Sequence, residues 1–295
     1  MGASEIERVV EPVESRVRAN GLSHHVLTWD GGGPPVLLCH GFLDLAWSWD
    51  SVARRLAAHG YRVHAFDWRG HGETEWIGPG GYYHFPDYAL DLSELIGALI
   101  SDPLHLVGHS MGGTACSLYA GTGPGTLRSL SLVEGIGPPA HAPAVAPDRF
   151  GAFLRTVGRV RGRETRAMPD VDAVLRRMRV QNPKLPDDLG RFLAEKGTKP
   201  GPGGEGRVFT FDPLHQTTSP TAFNLETYLA FLDRIEVPTL IVGGEHGFRV
   251  EDEALRRSRI PDQRLVEMPG VGHMVHWLAP EALAEVLWTH FEATA

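Results

Sequence analysis

Short, continuously apolar runs alternate with amphipathic stretches along most of this chain. That alternation constrains the fold more than any other feature. Val36–Leu37–Leu38–Cys39 follows Gly31–Gly32–Gly33–Pro34–Pro35 and contains no polar position, as a strand buried on both faces requires. Similar runs occupy Tyr61 to Asp67, Leu104 to Gly108, Leu127 to Val133, Thr239 to Val242 and Arg264 to Met268. Helical patterns lie between several of them: Trp49 to His59, Phe85 to Ile100, Met111 to Tyr119 and Glu251 to Arg257. Pro280 to Phe291 reads as a closing helix with proline in its first turn. Strands alternating with helices predict an α/β fold, a mostly parallel central sheet flanked by helices. Asn20-Gly21 between two alternating runs adds a hairpin near the start.

One region breaks the rhythm. From Gly137 to Ile235 the chain has no strand-like apolar run and is dense in Arg and Pro, and Phe150 to Val160, Val171 to Val180 and Leu185 to Glu195 read as short helices. A structureless loop of that length is improbable in a compact domain. The expected organisation is therefore a core built from residues 1–136 and 236–295, with residues 137–235 inserted as a helical cap.

Composition removes several classes of function. The net charge is −8 with no long basic stretch, so nucleic acid is not expected as a partner. The two cysteines, Cys39 and Cys116, lie in apolar segments and do not form a secreted disulfide framework. The N-terminus (Glu5, Glu7, Arg8, Glu11, Glu14) shows no basic region followed by an apolar run, and no apolar run is long enough to span a bilayer. A soluble, cytoplasmic protein with no membrane partner is expected.

The chemistry concentrates where the strands end. Leu104–His105–Leu106–Val107 runs into Gly108–His109–Ser110–Met111–Gly112–Gly113 and then a helix, which is G-x-S-x-G in its strand–turn–helix setting. Such a turn lifts Ser110 Oγ clear of the backbone at a helix N-terminus, where developing negative charge is favoured. A serine hydroxyl needs a base. Among 15 histidines, position must decide. His273 follows the last predicted strand, and strand carboxyl ends in such sheets share one crevice. His276 is its nearest rival.

These motifs resemble the α/β-hydrolases that carry a helical cap. The likeness covers nearly the whole chain and rests on His40–Gly41–Phe42, Asp67–Trp68–Arg69–Gly70–His71–Gly72, the serine turn and the Gly-flanked His273. It implies Ser110 as nucleophile, His273 as base, and the backbone N–H groups of Phe42 and Met111 as the oxyanion hole. The acid departs from the common pattern. Where the family usually places an aspartate, after the strand that follows the cap, this chain has Gly247. Glu134, ending the strand after the serine helix, stands where some capped relatives, including serine hydrolase-like proteins, carry theirs. A carboxylate leaving a buried strand is costly without a partner, and an imidazole N–H would supply one. Glu245 and Asp252 remain alternatives.

A serine in place of a carboxylate nucleophile excludes the epoxide hydrolase and haloalkane dehalogenase reactions. No metal or cofactor is expected, because His24, His25, His71, His246 and His276 lack ligand spacing and no Walker or Rossmann fingerprint occurs. Leu43, Trp47, Phe211 and His215 are candidate pocket residues. The expected function is hydrolysis of a small or medium carboxylic ester through an acyl-enzyme. Thioesterase, C–C bond hydrolase, amidase and acyltransferase share the same triad. A non-catalytic binding protein on this fold is the alternative from another class.

Overall fold

The computed structural model describes residues 10–161 and 166–294, so the N-terminal positions Glu5, Glu7 and Arg8 lie outside the described residues. The chain opens with an antiparallel pair, β1 (Val13–Ala19) and β2 (Leu22–Asp30), joined through Asn20 and Gly21, both at positive φ. Then follow β3 (Pro35–Cys39), α1 (Asp50–Ala58), β4 (Arg62–Phe66), α2 (Phe85–Leu99), β5 (Leu104–His109), α3 (Met111–Ala120) and β6 (Leu127–Val133). After the 137–235 stretch come β9 (Thr239–His246), α8 (Glu253–Ser258), β10 (Gln263–Gly272), α9 (Val275–Leu278) and α10 (Pro280–Glu292). The eight sheet strands are ordered β1-β2-β4-β3-β5-β6-β9-β10, and every pair from β4 to β10 is parallel.

The period of two along the strands divides the core between the two faces. Val36 and Leu38 of β3 join the cluster built with Val52 and Leu56 of α1 and Leu283 and Leu287 of α10. Leu37 and Cys39 face the other way, with Leu92 and Leu95 of α2 and Ala115 and Cys116 of α3. Both faces are covered, which is why β3 reads as an unbroken apolar run. Truncating Leu38, fully buried at the sheet centre, to alanine costs about 2–5 kcal/mol.

Strand order positions the site. After β3 the chain moves to one side to form β4, then returns across β3 to form β5. The connections therefore diverge at the carboxyl ends of β3 and β5, and a doubly wound sheet opens its crevice at such a point.

Residues 137–235 hold α4 (Ala146–Arg161), α5 (Val171–Gln181), α6 (Asp187–Lys196) and α7 (Leu225–Leu232). Two elements here were not legible in the sequence. A hairpin of β7 (Thr198–Pro200) and β8 (Arg207–Phe209) spans the Gly-rich stretch, its strands too short for a periodic signal. Helix α7 is only eight residues long and starts where the Asn224 side chain accepts the Thr227 N–H at 2.7 Å. The insertion is tied to the core at several points. Arg256 donates to the Pro138 carbonyl at 2.9 Å, Tyr83 donates to Asp212 at 2.8 Å, and Trp47 packs edge-on against Phe192. Among the described residues, no helix is long and apolar enough to cross a membrane.

Candidate active site

Ser110 sits between β5 and α3 with φ 51 and ψ −114, a conformation that L-residues rarely hold. The surrounding packing maintains it. The Ser110 N–H donates to the Val133 carbonyl at 3.0 Å, and a Cβ at Gly112 would stand 2.5 Å from the Cys39 carbonyl oxygen. The turn can therefore press against the end of β3 only with glycine at 112.

His273 leaves β10 just after a break in its register with β9. Its Nε2 lies 3.0 Å from Ser110 Oγ, and its Nδ1 lies 3.0 Å from Glu134 Oε2. Glu134 ends β6 at φ 52 with its side chain fully buried. The same carboxylate accepts the Gly244 N–H at 2.6 Å and the Phe248 N–H at 2.7 Å. Those bonds compensate its removal from water. A carboxylate facing Nδ1 requires the proton on Nδ1, which leaves the Nε2 lone pair facing the serine hydroxyl.

Gly247 explains the departure from the common pattern. A Cβ at 247 would lie 2.0 Å from Glu134 Oε1. The Glu134 carboxylate thus fills the space that a side chain at 247 would need, and position 247 must be empty. The other two acid candidates point elsewhere. Glu245 accepts the Gly270 N–H at 2.7 Å on the exposed side, and Asp252 holds Arg256 at 2.9 Å.

The loop after β3 carries Phe42 and is braced from behind by histidines. The Leu43 N–H donates to His71 Nε2 at 3.3 Å with Leu43 at φ 58, and the Trp68 N–H donates to His40 Nε2 at 3.0 Å. Both rings act as acceptors and must be neutral. Burial supplies this, holding His40 and His71 below the ordinary histidine value. Asp67 closes the brace by accepting the Ala46 and Glu73 N–H groups at 2.7 and 2.9 Å, while its Oδ2 stands 2.8 Å from His25 Nδ1.

Phe42 is half exposed, with His71 and His215 edge-on to it at 6.5 and 6.1 Å, and Met111 is the partly buried first residue of α3. Leu43 is partly buried, whereas Trp47 is buried against Phe192 beneath the Lys196 ammonium. Phe211 stacks on Phe209 at 5.0 Å. His215 is buried between Tyr83 and His71, with Nδ1 3.4 Å from Tyr88 Oη, and burial pushes it down to about 3.

The sequence reading did not single out Asp44 or His109. His109 Nε2 donates to the His273 carbonyl at 2.9 Å, so the residue before the serine holds the backbone of the residue after β10. His276, the rival to His273, is buried and pairs with Asp44 at 3.1 Å. Burial, with neighbouring imidazoles adding to it, holds His109 and His276 well below their ordinary values. No local spacing could reveal these contacts, because their partners come from separate strand ends.

Known proteins share this arrangement of chain. Over 97% of its length the chain is 26% identical to a serine hydrolase-like protein of Danio rerio, covering 87% of that relative. It is 28% identical to 2-(acetamidomethylene)succinate hydrolase of Mesorhizobium japonicum, covering 89% of this chain and 90% of the relative. Among solved structures, the thioesterase domain from the curacin biosynthetic pathway superposes with a TM-score of 0.85 at 29% identity, covering 94% of this chain and 99% of that one. The model of the alpha/beta hydrolase fold family matches residues 34–280. With an eight-stranded sheet of this order and a match across most of its length, the chain belongs to the alpha/beta hydrolase fold family.

Proposed function

We propose that this protein is a serine hydrolase that cleaves small or medium carboxylic esters through an acyl-enzyme. The observation that carries the reading is the unbroken relay from Ser110 Oγ through both nitrogens of His273 to Glu134, 3.0 Å at each step. In this reading His273 Nε2 takes the Ser110 proton as Oγ attacks the substrate carbonyl. Glu134 holds the ring in the required tautomer and stabilises the imidazolium. The Phe42 and Met111 N–H groups, on adjoining strand ends, stabilise the tetrahedral oxyanion. His273 then protonates the leaving group, and water, deprotonated by the same ring, releases the acid. Residues 137–235 act as the cap over the crevice, with Leu43, Trp47, Phe211 and His215 shaping its walls.

The test is stopped-flow hydrolysis of p-nitrophenyl butyrate. A nitrophenolate burst of up to one equivalent, or its steady-state equivalent, is expected for the intact protein. Ser110→Ala should lower turnover by at least about 10⁴-fold. Turnover that survives this substitution would sink the proposal. The likeness to a thioesterase domain favours a thioester as the second reading. It predicts that butyryl thioesters outpace matched oxygen esters in kcat/KM.

A further inference from the structure

Asp44, His109 and His276 meet beneath the serine turn, from the loop after β3, the end of β5 and α9. All three are at least nine-tenths buried, and one ligand-type atom from each lies within 4.8 Å of the others. Trp49 stacks on His276 at 4.6 Å and closes one side. Asp44 Oδ1 and His109 Nδ1 have no hydrogen-bond partner among the described residues, while His276 turns its Nε2 toward Asp44 Oδ2 at 3.1 Å. His109 Nε2 must carry a proton to donate to the His273 carbonyl, so its Nδ1 presents a bare lone pair into the cluster. Buried acceptors without donors are costly, and a cation is the partner that several lone pairs can share.

We propose that Asp44, His109 and His276 bind one divalent transition-metal ion of the zinc and cobalt class. Two imidazoles and one carboxylate form a nitrogen-rich donor set that suits these ions and not magnesium or calcium. The 3.1 Å between His276 Nε2 and Asp44 Oδ2 fits two ligands that share one ion at bond lengths of about 2.0–2.2 Å. The surroundings match as well. A metal-bound histidine characteristically donates its other N–H to a carbonyl, and a bound carboxylate accepts a further hydrogen bond. His109 donates to the His273 carbonyl, and Ser48 donates to Asp44 Oδ2 at 2.9 Å. No spacing motif marks the site, because its ligands stand 65 and 167 residues apart (109 − 44 and 276 − 109).

The experiment is a titration of the chelator-treated full chain with cobalt(II), read by visible absorption and by equilibrium dialysis. One equivalent should bind and develop the absorption of a low-coordinate, nitrogen-ligated ion. Asp44→Asn and His276→Gln should each weaken uptake by at least about tenfold. Glu14→Gln, which removes an exposed carboxylate from the Glu14–His25–Glu73 cluster, should leave it unchanged. Near-UV circular dichroism checks that each variant is folded. Absence of saturable uptake by the unsubstituted chain overturns the proposal and leaves a buried water only, whatever the variants do. Equal uptake by all four proteins, or loss in Glu14→Gln alone, overturns it too. No arm reads hydrolysis, so this outcome is independent of the serine hydrolase reading.

Discussion

Two carboxylate–histidine pairs flank His109, and their surroundings differ. In Glu134–His273 the carboxylate is sealed and takes three N–H donors, while the far side of the ring opens to the Ser110 hydroxyl. In Asp44–His276 both partners are sealed, and each keeps an unpartnered atom. Burial raises the Asp44 carboxyl to about 6, with the neighbouring His40 and the Ser48 bond only partly opposing it. The chemical pair is the same, yet only in Glu134–His273 does the second ring nitrogen meet a serine hydroxyl. Hydrogen-bond satisfaction on one side combined with access on the other separates the pair beside Ser110 from the enclosed one.

The sharpest way to break the comparison is to move the acid. Gly247→Asp alone forces a side chain into the space of the Glu134 carboxylate, and a displacement near 1 Å in such a relay costs about 10²-fold. The account expects at least that loss in kcat with p-nitrophenyl butyrate. Combining Gly247→Asp with Glu134→Gly vacates the space and places an acid on the neighbouring loop. The double variant should be at least tenfold faster than Glu134→Gly alone, and equal rates would refute the view that one space serves both positions.

A histidine without a carboxylate gives a control. His105, buried in β5 with Nδ1 2.8 Å from Ser129 Oγ, is pushed down to about 4, chiefly by burial. Its folded value lies below the unfolded value near 6.5, so the unfolded chain binds the extra proton. Stability from this group is complete above about pH 6.5 and is lost as pH falls toward 4. Denaturant titrations should show His105→Gln flattening that acid slope by roughly 1.4 kcal/mol per pH unit. An unchanged slope would mean that His105 does not stay neutral in the folded protein.

The smallest effect is expected at Glu245. Its carboxylate caps the Gly270 N–H and does not touch His273. Glu245→Gln should leave kcat within about twofold, as surface changes away from such features do. A loss comparable to that of a Glu134 variant would reassign the acid to β9, the strand that follows residues 137–235.

Fold class was legible because both faces of the sheet are covered, so the run from Val36 carries no polar interruption and the run from Leu104 to Gly108 only His105, itself buried. The serine turn was legible because its glycines are contiguous in sequence. Gly247 was visible only as a missing acid; the carboxylate that fills its space comes from β6, 113 residues earlier (247 − 134). Asp44 and His109 left no local signal, since their partners arrive from other strand ends. The β7–β8 hairpin was hidden because three-residue strands show no period.

The central claim, that Glu134 and His273 form the working pair, is tested most directly by the kcat of Glu134→Gln measured beside Glu245→Gln with p-nitrophenyl butyrate. The amide keeps the shape of the carboxylate but presents the wrong partner to Nδ1–H, and the comparable change in a serine triad costs about 10⁴-fold. A loss of 10³-fold or more at Glu134 with near-unchanged Glu245→Gln is the predicted result. Glu134→Gln turning over within about tenfold of the unsubstituted protein would contradict it.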